Sequence, residues 1–325
     1  MARYTFPAEW ARHQASLIAW PHHEPDWPGK FGPIPWVYAE IARVIAGYER
    51  VEILCHDESV RQDASDTLAA HGVTANVRLH VVPNDRVWLR DSAPTFVHDE
   101  HGDVVLMNWG FNAWAKYPNY ALDGDVGRAV EGITGLPRRE PTRPDTGARL
   151  VLEGGGIETD GEGTLLVTEE WLLSDVQVRN PGMDRAAYEL AFREQLGIRH
   201  TIWLGEGCDG DDTHGHVDDI ARFTAPGTIV LAYEEDPADE NHRRSVDNMR
   251  RLELAGATRG ALRVVQLPFP RPVTMNGERL PASYANFYIA NGVVLVPTFN
   301  DRNDRPALEI IAGLFPDRHV VGIHA

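Results

Sequence analysis

The segment DDTHGHVDD, residues 211–219, puts two histidines and four aspartates into nine positions. So many ionisable groups in one stretch cost folding energy unless they are solvated or used. Three kinds of chemistry suit them. His214-Gly-His216-Val-Asp218 has the HxHxD spacing of a metal site. Carboxylates beside an imidazole can instead grip a cation and move protons. A wet acidic loop would need no function at all.

The elements around this segment discriminate between these readings. Four stretches share one pattern: PTFVHDEHGDVVLMN (94–108), GGIETDGEGTLLVTE (155–169), DIARFTAPGTIVLAYE (219–234) and ANFYIANGVVLVPTF (285–299). Each is a β-rich run, a turn with glycine and a second β-rich run, which predicts a hairpin. The turn glycines Gly102, Gly161, Gly227 and Gly292 are 59, 66 and 65 residues apart. A one-sided helical pattern follows each hairpin. The windows are GDVGRAVEGITG, MDRAAYELAFREQLG, ADENHRRSVDNMRRLELAG and DRPALEIIAGLF. After the last three come the apolar runs HTIWL, LRVVQLP and HVVGI; the strand after the first is less clear.

The unit is therefore strand–strand–helix–strand. A unit of that size cannot bury its own apolar face, so such repeats stack radially or linearly. SLIAW, a helix near WVYAEIARVIAGY and VEILC supply a partial fifth unit with one strand where the others have two. A closed ring would need a partner for SLIAW, with the C-terminus as its natural donor. The expectation is an α/β fold in one domain over residues 1–325, with the last unit incomplete.

The ionisable residues track this repeat. Asp91 lies 11 residues before its turn glycine, Glu153 lies 8, His216 lies 11 and Asp218 lies 9. In the fourth unit the corresponding stretch is SYAN, with Ser283 nine and Asn286 six residues before Gly292. Taken singly, Asp91 could pair with Arg90, Glu153 could hold glycine N–H groups and His216 could be a satisfied core residue. Equivalent offsets instead converge near a ring axis, giving three carboxylates and one imidazole in one pocket.

Such a pocket fits a guanidinium, which is planar, permanently charged and rich in N–H donors. Two carboxylates match that fork, and glutamate and histidine can move protons. Attack on the guanidinium carbon would suit a thiolate. Cys55 lies in a buried β-run, and Cys208 sits in an acidic loop that disfavours a thiolate; neither enters a hairpin at the right offset. A dinuclear metal site would need further histidines, and His242, His319 and His324 have no evident ligand setting. The metal reading with His214, His216 and Asp218 is therefore second to the cradle.

Composition narrows the classes. The formal charge of −17 argues against nucleic acid as a partner. No apolar run approaches the length of a membrane span. The start MARYTFPAEWARHQ shows no secretory signal, and two cysteines make no disulfide framework. A reducing cytoplasm is the expected compartment.

Several motifs in one order carry a resemblance: FPAEWARHQASLIAWPH, NDRVWLRDSAPTFV, NWGFNAWAKY, LEGGGIETDGEGTLLVTEE, DDTHGHVDDIARF, PASYANFYIANGVVLVP and FPDRHVVGI. From end to end the chain resembles agmatine deiminases, within the family of Porphyromonas-type peptidylarginine deiminases. The resemblance implies a five-fold pseudosymmetric α/β propeller (the pentein fold). It also implies a hydrolase for a small cationic guanidino substrate, with no cofactor and no metal, in polyamine biosynthesis toward putrescine. By position, Asp91 and Asp218 would grip the guanidinium, His216 would be general acid and base, and Glu153 would hold the guanidinium and assist proton transfer. Trp88 and Asp85 would line the pocket near the substrate's tail. A homodimer is the family's usual state.

Two departures stand out. The family's nucleophilic cysteine follows the strand matched by HVVGI, in a glycine-rich segment ending in His-Cys. The 325 residues stop at Ala325 before it, and truncation is the expected reason. TEEW, with Trp171, replaces the usual cysteine-containing form, with an effect expected on local packing. The alternatives carried beside agmatine deiminase are a non-catalytic guanidino-compound binding protein, a peptidylarginine or arginine deiminase and, further off, the metal-dependent hydrolase.

Overall fold

The computed structural model describes residues 4–259 and 262–325. Residues 1–3, 260 and 261, within the domain expected over 1–325, lie outside the described residues. After β1 (Tyr4–Thr5), the first sheet consists of β2 (Ala15–Ala19), β3 (Arg50–Cys55) and β4 (Val77–Val81), all parallel and in that order. Parallel neighbours need crossovers, and α1 (Ile34–Ala46) and α2 (Glu58–Ala70) provide them. Asp57 caps α2 by accepting from the Val60 N–H at 2.9 Å.

The partial N-terminal unit has its one strand before the helix, as expected. The third strand β4 was not foreseen, because VRLHV alternates with polar residues and stays partly exposed. The strand expected from the C-terminus to partner SLIAW is not found among the described residues. There β2 is an edge strand beside β3, and the last strand of the chain joins a different sheet.

The four hairpin units form as the pattern predicts. After α3 (Leu89–Ser92) come β5 (Thr95–Asp99) and β6 (Val104–Met107), then α4 (Val126–Thr134) and β7 (Arg138–Arg139), with β1 on the edge of β5. The next sheet holds β8 (Glu158–Thr159), β9 (Thr164–Thr168) and, after α5 (Glu169–Leu173) and α6 (Arg185–Leu196), β10 (His200–Leu204). β11 (Ala221–Ala225), β12 (Thr228–Tyr233), α7 (Glu240–Arg259) and β13 (Arg263–Pro268) follow. A short ribbon, β14 (Thr274–Met275) and β15 (Glu278–Arg279), precedes β16 (Tyr288–Ala290), β17 (Val293–Thr298), α8 (Asp304–Leu314) and β18 (His319–His324).

In each of these four sheets the first two strands are antiparallel and the third runs parallel to the second. Gly102, Gly161, Gly227 and Gly292 all turn with φ between +69° and +85°, which a side chain would strain.

The cores are shared between neighbours. Ala19 and Leu54 of the first sheet pack with Leu106, Val126 and Val130 of the second unit. Val97 and Val105 join Leu165, Val167 and Tyr188 of the third. Leu166, Ile202 and Leu204 share a core with Phe223, Ile229 and Leu231 of the fourth, and with Ile289, Val294 and Ile311 of the last. Finally, Val293, Leu295 and Ile323 of the last unit pack on Ala39, Ile45, Val51 and Ile53 of the first. Among the described residues no helix is long and apolar enough to cross a membrane.

Candidate active site

The four expected residues reach one place from three segments that each lead into a hairpin. Asp91 sits on the single turn of α3, Glu153 precedes a 3-10 turn at Gly154–Gly156, and His216 and Asp218 flank Val217 at another, Val217–Asp219. All four are at most 8% exposed. Gly155 marks their meeting point. A β-carbon there would lie 2.6 Å from His216 Nδ1, 2.8 Å from Asp91 Oδ1 and 2.9 Å from Asp218 Oδ2. The Gly155 N–H donates to Asp91 Oδ1 at 2.9 Å.

Each glycine of LEGGG admits a different neighbour. At Gly154 a β-carbon would meet the Arg90 carbonyl at 2.0 Å, and at Gly156 it would meet the Trp171 ring at 2.5 Å. Any side chain at these positions would push the segments apart.

The imidazole is the hub. His216 Nδ1 is 3.7 Å from Asp91 Oδ1, and Nε2 is 3.5 Å from Glu153 Oε2. That second approach is an ion-pair distance without a hydrogen bond, so buried Nε2 has no hydrogen-bond partner. Burial alone would lower the His216 pKa, but Asp91 and Glu153 raise it to about 9. Both carboxylates favour the imidazolium form.

Glu153 is fully buried and fully engaged. Arg179, also buried, donates from Nε to Oε1 at 3.1 Å, and Trp171 donates from Nε1 to Oε2 at 2.6 Å. Burial works against its charge, yet Arg179 and His216 hold its pKa below the ordinary glutamate value. Asp218 has weaker support, with Arg90 Nε 3.8 Å away. Burial pushes its pKa up to about 6 against the pull of His216 and Arg90. One carboxylate of the cradle is thus poised to gain from an incoming cation.

A line of alternating charge runs inward from Asp218. Arg90 Nη1 pairs with Glu9 at 2.9 Å, Arg222 Nη2 reaches the same Glu9 at 2.8 Å, and Arg222 Nε reaches Glu158 at 2.9 Å. Burial alone would raise Glu9, but Arg222 and Arg90 hold it low; burial pushes Glu158 above its usual range against Arg222.

Trp88 and Asp85 stand outside the four. Trp88, half-exposed, stacks on Trp27 at 5.9 Å and meets Trp114 edge-on at 6.0 Å. Trp114 in turn donates to Asp91 Oδ2 at 2.9 Å. Asp85 accepts the Leu122 N–H at 2.8 Å and braces the loop that carries Trp114. In the fourth hairpin unit, Asn286 donates to Asp219 Oδ1 at 2.8 Å, whereas Ser283 accepts the Ala285 N–H.

Neither thiol joins the cradle. Cys208 is buried against Asn241, and burial and Asp219 push its pKa well above the ordinary value. Burial pushes Cys55 up to about 12. The HxHxD reading meets a geometric objection. His214 turns to Ser174, 3.0 Å from Nε2, and to Glu170, while His216 faces Asp91 and Glu153. Among the described residues no group of three His, Cys, Asp or Glu side chains is arranged to hold a metal ion.

The same chain matches a known family along almost its whole length: the model of Porphyromonas-type peptidyl-arginine deiminases covers residues 5–325. The chain belongs to this family. Among its relatives, the agmatine deiminase of Pseudomonas aeruginosa is 34% identical, the match covering 98% of this chain and 89% of that protein. That of Stutzerimonas stutzeri is 35% identical over the same shares. The solved structure of an Enterococcus faecalis agmatine deiminase superposes with a TM-score of 0.88 at 29% identity, covering 100% of this chain and 93% of that one. A C. jejuni agmatine deiminase with substrate bound gives 0.87 at 25% identity, over 99% and 91%.

Several residues around this cluster carry no sequence signal in the repeat. Arg179 is a lone arginine in VQVRNPG. Trp114 depends on a backbone feature: Ala113, Trp114 and Ala115 all have positive φ, near +50° to +60°. Three such residues in a row are strained, and strain of this kind gathers at functional sites. Trp171 was expected to affect packing alone. It is indeed in the core, but its indole N–H also binds Glu153.

Proposed function

We propose that this chain is an agmatine deiminase that hydrolyses the guanidino group of agmatine to N-carbamoylputrescine and ammonia. The observation that carries the reading is the convergence of Asp91, Asp218 and His216 on Gly155, with Glu153 against the far edge of the imidazole. A guanidinium in that space finds two carboxylates for its N–H fork. Membership of the deiminase family and near full-length relatives of that activity support the choice of substrate.

In this reading Asp91 and Asp218 bind the guanidinium. His216, an imidazolium at rest, gives a proton to the departing ammonia and takes one from the attacking water. Glu153, held by Arg179 and Trp171 at the far edge of the imidazole, would assist that transfer through His216. Trp88 would meet the aliphatic tail, and Asp85, with one oxygen on Leu122, would offer the other to the terminal amine. A covalent amidino intermediate on a cysteine is part of the proposal. In that step a thiolate would attack the guanidinium carbon, ammonia would leave and water would then release the ureido product. Cys55 and Cys208 are too buried and too basic to supply the thiolate, so the nucleophile segment is taken to be missing from these 325 residues.

The cyclic sharing of cores, in which the last unit packs on the first, supports a five-unit propeller closed on itself. The line from Asp218 to Glu158 would then lie along its axis. A homodimer in the cytoplasm completes the proposal.

Calorimetric titration with agmatine, beside an assay for ammonia, tests this reading. Agmatine should bind, and both Asp91→Asn and Asp218→Asn should weaken binding by about 10- to 100-fold, the loss of one charge-assisted partner. If both variants bind agmatine as well as the parent chain, the cradle assignment is wrong. Binding of arginine or of arginyl peptides in preference to agmatine would move the substrate within the same chemistry.

A further inference from the structure

The Trp171 indole is wedged between Gly156 and His216. A β-carbon at Gly156 would lie 2.5 Å from three atoms of its ring, so the close approach exists only because residue 156 is glycine. On its other side the ring meets His216 edge-on, with centroids 5.6 Å apart. Thr168 Oγ1 accepts the Trp171 backbone N–H at 3.1 Å and fixes the start of α5. The side chain is 1% exposed and cannot swing away. Its Nε1–H points at Glu153 Oε2, 2.6 Å away, while Arg179 holds Oε1.

The arrangement sets up a competition for one oxygen. Glu153 Oε2 lies 2.6 Å from the indole nitrogen but 3.5 Å from His216 Nε2, which makes no hydrogen bond. A buried carboxylate and an imidazolium would ordinarily close to a short charge-assisted bond. Here the oxygen is already taken by a donor that cannot move, and the other oxygen is held by Arg179.

We propose that Trp171 is a positioning residue that holds the Glu153 carboxylate back from His216, so that the imidazolium proton is not locked onto Glu153. This rests on the deiminase reading of Glu153 and His216 given above. The indole N–H stabilises the ionised carboxylate without transferring a proton to it. A ring without that N–H, though of similar bulk, lets Oε2 close on Nε2, and the imidazolium proton becomes tied to Glu153.

The experiment follows the His216 ring by nitrogen-edited NMR as a function of pH in the parent chain and in Trp171→Phe. In Trp171→Phe the His216 titration should move upward by about one pH unit, as expected for a new bond to a charged partner. A folded Trp171→Phe chain with the parent's His216 titration overturns the proposal. If that variant does not fold, Glu153→Gln serves in its place. Replacing the carboxylate by an amide should shift the Trp171 indole N–H resonance upfield, and an unmoved resonance overturns it equally. Failure of the deiminase reading itself is read separately, from unimpaired agmatine binding by Asp91→Asn and Asp218→Asn.

Discussion

Gly155 approaches His216 so closely that a single added methyl group would sit 2.6 Å from the ring nitrogen Nδ1. The same methyl would crowd Asp91 and Asp218. Gly155→Ala is therefore expected to spread all three groups while leaving the sheets in place. Agmatine binding should weaken by at least about 100-fold, and overpacking should cost about 1–3 kcal/mol of stability. Calorimetry and a denaturant melt measure the two effects. Unchanged affinity in Gly155→Ala would separate this glycine from the cradle.

Asp218, with a pKa near 6, predicts how binding responds to acid. A cation prefers the ionised carboxylate, so affinity for agmatine should be constant above about pH 7. Below about pH 6 it should fall by up to about tenfold per unit as Asp218 takes a proton. The unliganded fold responds in the opposite sense. The folded carboxyl binds its proton more tightly than the unfolded one, so this group adds stability as pH falls from about 6 to 4. Asp218→Asn should be more stable than the parent at pH 8, by a few degrees of melting temperature, and lose that advantage at pH 4.

His216 has the same sign in a higher pH window. Its pKa is raised from 6.5 to about 9, so its contribution is complete below pH 6.5 and disappears as pH rises through 9. Thermal melts of the parent should fall between pH 7 and pH 10. His216→Gln should flatten that slope, and an unaltered slope would place the titration on another group.

The Glu153–Arg179 pair is fully buried on both sides. Arg179→Met should cost about 3–5 kcal/mol, because it strands a carboxylate away from water. The loss should grow with pH as Glu153 is forced to ionise. Adding Glu153→Gln in the same chain should recover part of it, and a double-mutant cycle of denaturant midpoints would show the coupling. Additive losses would mean that the two side chains act independently.

Cys55 and Cys208 should be silent. Both are buried, and both hold their protons more firmly than a free thiol. A thiol reagent at pH 7.5 should leave the folded chain unlabelled and modify both after denaturation. Cys55→Ser and Cys208→Ser should bind agmatine as the parent does.

Much of the architecture was legible because hairpin turns and one-sided helices leave local marks. The four turn glycines, the helical windows and the runs HTIWL, LRVVQLP and HVVGI are satisfied by neighbours close in sequence. β4 was not legible, since VRLHV is a half-exposed strand whose pattern depends on the sheet that receives it. In the candidate site, the convergence of Asp91, Glu153, His216 and Asp218 was legible because each lies 8 to 11 residues before a turn glycine. Arg179, Trp114 and Trp171 were not legible. Their roles depend on side chains arriving from 23 to 26 or 18 residues away, and on a left-handed backbone at Ala113–Ala115 that no single residue type announces.

The core shared by the first and last sheets has a consequence for how the chain reaches its native state. The hydroxyls of Ser16 and Tyr288 lie 2.7 Å apart, yet 272 positions separate them along the chain. Closing a flexible loop costs entropy that grows with the logarithm of its length, about 2 kcal/mol for each tenfold. The hairpins close loops of a few residues, whereas this contact must close nearly the whole polypeptide. The first and last sheets should therefore join late in refolding. Until they do, the face of Ala39, Ala42 and Ile45 and the face of Val293 and Leu295 both stand open to water. The aggregation hazard of this protein should lie in that interval, set by connectivity more than by weak packing.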